Sequence, residues 1–198
     1  VIDNKENVEQ YDFEIFVKEI VEPGDSINTY TDVTMGSISY NTTDPSYYEV
    51  ATNTTYMHDD ANAYQSDIGY IYGSNNAATV CSPDWDALNS LSQGPDESGW
   101  NSEKATRFKT TTLTTSDFDG IGADFDSDFV IEDNASGSSE EYVNHLQVGG
   151  ANEDVDVVGF VTEDGKKGLI KIKSIEQGSN ADHPDGSGTI TVDVKVQK

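Results

Sequence analysis

Carboxylates at alternate positions are the first residues of this chain whose spacing could do chemistry. Asp117-Phe118-Asp119-Gly120 and Asp124-Phe125-Asp126-Ser127-Asp128 set acidic side chains two residues apart, as a loop wrapping a hard cation in oxygen ligands would. Asp124, Asp126 and Asp128 are therefore calcium candidates. Counted from Asp124 as an EF-hand loop, however, Phe129 stands where Gly is needed and Ala135 where the bidentate Glu belongs. The competing assignment is a solvated edge and helix cap, with Phe118, Phe125 and Phe129 in the core.

Aromatic rings are the second kind of candidate. Tyr47, Tyr48, Trp85 and Trp100 fall in or beside stretches that read as loops. There they could stack on sugar rings, although aromatics of a β protein are more often core. Catalysis has less to work with. The histidines, His58, His145 and His183, form no His-x-x-x-His pair, and no Gly-x-Ser-x-Gly elbow occurs. Cys81 is the chain's one cysteine, set between Val80 and Ser82 without a basic neighbour. It reads as a small buried hydrophobe rather than a thiolate. A glycosidase needs two carboxylates in one cleft, and among 37 Asp and Glu any pair is uninformative. No catalytic residue is assigned and no cofactor is expected, calcium being the one exception considered.

The charge balance narrows the partners. Against those 37 acids stand 11 Lys and Arg, a net charge of −26, and no Lys or Arg lies between Lys18 and Lys104. Such a surface repels nucleic acid and anionic lipid. Neither nucleic acid nor direct membrane insertion is expected, and no apolar run is long enough to span a bilayer.

The elements that must position these residues read mainly as strands. Ile68, Tyr70 and Tyr72 alternate with Gly69 and Ile71. Gly73 to Asn76 turns, Thr79 to Cys81 returns, and Ser82-Pro83-Asp84 has the residue types of a helix start. Thr31–Ile38 and Ala105–Leu113 read as strands, Asn41–Tyr48 as loop, and His58–Gln65 as a short helix. Ser116 reads as a second N-cap. The C-terminal pattern is the clearest: Val155–Thr162, a turn to Gly168, Leu169–Ile175, then Thr189–Val196 with Ile190, Val192, Val194 and Val196 on one face. The fold class expected is all-β with minor short helices, an antiparallel β-sandwich or open barrel. It occupies residues 28–198. Residues 23–27 read as a linker, and residues 1–22 as a β-hairpin left from an immunoglobulin-like domain. That hairpin is unstable alone and must pack on something. The opening at Val1, in the middle of a strand, implies that a longer precursor precedes it.

DIGYIYGSNNAATVCSPDW, RFKTTTLTTSDFDGI, NHLQVG, VVGFVTEDGKKGLIKIKSI and GTITVDVKVQ, in that order, resemble a group of Bacteroidota surface lipoproteins of unassigned function. Those proteins carry an immunoglobulin-like domain followed by a β-rich C-terminal domain. The resemblance implies export, attachment to the outer cell surface and no known catalysis. It supplies no site residues. Gly149 to Asp154 is an insertion relative to that pattern. Asp25-Ser26-Ile27 is similar to the O-glycosylation sequon of exported Bacteroidota proteins, which makes Ser26 a glycosylation candidate. The expected function is a non-catalytic extracellular structural or adhesive module. One form of it is a fibre subunit that self-assembles when the N-terminal hairpin adds to a neighbour's sheet. A glycan-binding accessory lipoprotein of a polysaccharide-uptake system is the alternative, and a hydrolase ranks third.

Overall fold

The computed structural model describes residues 27–40, 43–73, 77–90, 103–122, 141–144, 146, 156–178 and 187–198. The hairpin expected at 1–22, Ser26, Trp100, Asp124, Asp126, Asp128, His145 and His183 lie outside the described residues.

Alternation of oily and polar side chains produces two five-stranded antiparallel sheets. In chain order the strands are β1 (Ile27–Gly36), β2 (Tyr47–Glu49), β3 (Thr54–Tyr56), β4 (Ile68–Gly73), β5 (Ala77–Cys81), β6 (Arg107–Thr110), β7 (Tyr142–Val143), β8 (Val157–Val161), β9 (Lys167–Glu176) and β10 (Thr189–Gln197). A six-residue helix, α1 (Thr115–Gly120), follows β6, and single 3₁₀ turns occupy Ala63–Gln65 and Asp86–Ser90. One sheet runs β1-β10-β9-β8-β6 and the other β3-β2-β4-β5-β7. They face each other as a sandwich, with no closed barrel.

The chain moves between sheets just after β1. There the Ile38 N–H donates to the Tyr70 carbonyl at 2.9 Å, and the Tyr72 N–H to Ser37 Oγ at 2.9 Å. Residues of the first sheet's end thus take over beside β4 where β2 has ended.

Apolar side chains form three layers. The central one, between the sheets, includes Val33, Met35, Ile170, Ile172, Ile190, Val192, Val194 and Val196 from the first sheet, and Tyr48, Ile68, Tyr70 and Val80 from the second. Burying each such side chain contributes about 1.5–3 kcal/mol. Behind the second sheet, Ile38, Tyr47, Ala63, Ile71, Cys81 and Leu88 form a smaller layer, against which Tyr56 and Trp85 pack. Behind the first sheet, Phe118 of α1 packs on Val157 and Leu169.

Several expectations need correction. β1 begins at Ile27, earlier than the predicted Thr31. Residues 82–85 form a turn rather than a helix start, because the Ser82 hydroxyl is engaged by distant Thr106. His58–Gln65 contains only the 3₁₀ turn at its end. α1 is capped by Thr114, two residues before Ser116, through a reciprocal capping box with Asp117. Tyr47 and Tyr48 belong to β2 and not to a loop.

Candidate functional site

β5 ends at Cys81, and the residues after it build the most elaborate surface feature of the described chain. Ser82 is fully buried. Its N–H donates to the Glu141 carbonyl at 2.7 Å, and its hydroxyl accepts the Thr106 N–H at 2.9 Å and donates to Asp84. The Trp85 N–H closes the turn onto the Ser82 carbonyl at 3.1 Å. Arg107, the chain's single arginine, opens β6 and grips Asp84 with a fork: Nη1 to Oδ1 and Nη2 to Oδ2, both 2.9 Å. This planar two-point geometry is the strong form of an ion pair. It ties the second sheet (β5, β7) to the edge of the first (β6). Partial burial works upward on Asp84, but Arg107 and the Ser82 hydroxyl outweigh it and hold the carboxyl below the ordinary range.

Beside the fork stand two aromatic rings. Trp85 is half-buried and packs one way on the layer behind the second sheet. Its ring stacks on Tyr142 of β7, with centroids 4.4 Å apart and planes 29° apart. Tyr142 is 39% exposed, the large hydrophobic side chain that stands out to solvent among the described residues. By contrast, Phe108 and Phe160 pair at 6.5 Å wholly inside the central layer.

Several ionisable groups elsewhere are drawn into pairs. Buried Asp67 accepts the Val50 N–H at 2.9 Å and faces Lys104 Nζ at 3.2 Å. Burial still raises its carboxyl above the usual value. On the outer face of the first sheet, Asp193 bridges Lys171 at 3.0 Å and Lys173 at 3.4 Å. Lys171 also reaches Asp119, and Lys173 reaches Asp32, each at 2.5 Å. Burial works upward on the Asp193 carboxyl, but the Asp32 N–H and the two lysines outweigh it and lower it. Lys195 sits over the Phe118 ring and donates to the Phe118 carbonyl at 2.7 Å and to that of Ile121. These contacts cap the C-terminal end of α1, and burial lowers the Lys195 amine.

The predicted site residues scatter. Tyr47 and Tyr48 are fully buried on opposite faces of β2, and the Tyr48 hydroxyl donates to Asn53 at 3.0 Å. Neither offers a ring face to a sugar, which corrects that expectation. Trp85 does reach the surface. Of the carboxylates near the calcium candidates, Asp117 caps α1 and Asp119 pairs with Lys171. Among the described residues, no group of three or more His, Cys, Asp or Glu is placed to hold a metal ion. Cys81 is buried, and burial pushes its thiol up. Tyr142 and Arg107 were not singled out by the sequence. The available signal was that the lone arginine of so acidic a chain needs a fixed carboxylate.

No family model, no curated protein and no solved structure matches the chain. Its function must be argued from its own residues. Among these, no helix in the described part is long and apolar enough to cross a membrane.

Proposed function

We propose that this chain is a non-catalytic structural or adhesive β module of the outer cell surface. The observation that carries the reading is how its charged side chains are used. Asp84, Asp193, Lys171 and Lys173 are held in their charged forms by partners that tie strand to strand and sheet to sheet. Acid–base catalysis needs groups poised to exchange protons near neutrality. Stabilised ion pairs instead make a rigid scaffold. Asp67 and Lys195 shift the other way through burial, but both are occupied by backbone partners. The resemblance to Bacteroidota surface lipoproteins supports the location, and the net charge of −26 suits a solvent-facing surface.

One form of the module is a self-assembling subunit in which residues 1–22, whose sequence pattern reads as a hairpin, add to a sheet edge of the next copy. β1, ten residues long, is the longest of the four edge strands β1, β6, β3 and β7 and gives such a contact the most backbone. Light scattering on the 198-residue chain and on a form lacking residues 1–22 tests it. Concentration-dependent assembly of the first and a monomeric second support the fibre form, and identical monomers reject it. Glycan binding is the second reading, favoured by the solvent-facing Trp85–Tyr142 stack.

A further inference from the structure

We infer that the Trp85–Tyr142 stack, together with the Asp84–Arg107 fork beside it, is a binding subsite for a neutral pyranose of a glycan chain. The inference rests on the adhesive reading and names its ligand.

Three features of the place meet in this ligand. A pyranose has a flat apolar C–H face, and Tyr142 is an aromatic ring backed by Trp85 at 4.4 Å and 39% exposed on the side of solvent. The stacking partner and the layer beneath it hold the Tyr142 ring in place, so little side-chain freedom is lost on binding. A pyranose also carries a rim of hydroxyls that both donate and accept. The fork supplies the complement, because the Asp84 and Arg107 side chains stay 23% and 37% exposed while gripping each other. A guanidinium has five N–H donors. Asp84 and Thr106 take both on Nη1 and one on Nη2, and the Nε donor is used by neither. Backbone bonds fix the spacing of the two halves: Ser82 N–H holds the Glu141 carbonyl beside Tyr142, and the Ser82 carbonyl holds Trp85.

The ligand's charge follows from the surroundings. With Glu141 acting on Arg107 and 26 net negative charges on the chain, an anionic sugar is repelled.

Screening the full chain against an array of neutral oligosaccharides of glucose, galactose, mannose and xylose, followed by calorimetric titration of the best of them, tests the inference. Binding of at least one neutral oligosaccharide is expected. Tyr142→Ala is expected to weaken it about tenfold or more in a chain that still folds, with the melting temperature lowered by only a few degrees through the lost stack, and Tyr142→Phe to retain it. Absence of neutral binders, binding of acidic sugars alone, or full affinity in Tyr142→Ala would overturn the subsite. Beads bearing the chain separate this failure from failure of the adhesive reading. Beads that hold to a surface coated with a second copy of the chain, with no sugar bound, sink the sugar subsite and leave adhesion standing. Oligosaccharide binding without bead retention on any surface does the reverse.

Discussion

Asp84 shows how a single carboxylate can serve the scaffold. It receives two guanidinium bonds and one hydroxyl bond, so truncating it strands Arg107 and half-buried polar partners. Asp84→Ala is expected to cost about 1–2 kcal/mol in urea unfolding, a value kept low because the pair is partly exposed. Its folded pKa is depressed, as is that of Asp193. The stability each contributes is therefore present above the unfolded carboxylate value, about pH 4, and lost as pH falls through the folded value. An acid titration of stability should fall more gently below about pH 4 in Asp84→Asn than in the parent; an identical acid limb would mean that the pair contributes nothing. Asp67, raised by burial, has the opposite sign: its charge is a cost that acid relieves. Lys195 acts by a different route. Its ammonium caps α1 while its stem lies 6% exposed along the sheet. Lys195→Met keeps the stem and removes the cap, so a loss of about 1–3 kcal/mol is expected. Faster hydrogen exchange confined to α1 would mark the cause.

At the scale of elements, legibility depended on whether a strand has one oily face or two. β10 was plain in the sequence because Ile190, Val192, Val194 and Val196 face the central layer while Thr191, Asp193 and Lys195 face outward. β2 was hidden because Tyr47 points into one apolar layer and Tyr48 into another, which removes the alternation that betrays a strand. The 82–85 turn was misread for another reason. Ser82 carries helix-cap chemistry, but its hydroxyl is claimed by Thr106, 24 residues away, a contact that local residue types cannot reveal. The same long-range logic hid the candidate subsite, where Trp85 was visible as an aromatic and its partner Tyr142 was not. Close approach of elements is also testable. A Cβ at Gly168 of β9 would lie 2.2 Å from the Phe160 ring of β8 and 2.7 Å from the Lys195 carbonyl of β10. Gly168→Ala should therefore overpack three adjacent strands and lower stability by about 1–3 kcal/mol. A melting temperature equal to the parent's would mean that those strands can part without cost.

At the scale of the whole molecule, the dominant force besides burial is self-repulsion. Twenty-six excess negative charges on 198 residues push the folded surface apart, and salt weakens that push by shortening the screening length to about 10 Å at 0.1 M. The melting temperature is expected to rise between about 10 mM and 0.5 M sodium chloride, and to fall only if ion pairs such as Lys171–Asp193 outweigh the repulsion. The sandwich that tolerates this charge buries its apolar residues in three layers and puts Lys104, Arg107, Lys171 and Lys173 into ion pairs, and on that construction rests the proposal of a module that bears a contact. Bead retention, read alongside the chemical state of the coating, tests that claim most directly. Beads carrying the chain would be washed over a surface coated with neutral polysaccharide or a second copy of the chain, while soluble fragments released from the coating are measured. Beads that stay bound over an intact coating are the expected result. Beads that wash away from both surfaces, or a coating that is cut, would contradict a non-catalytic adhesive module.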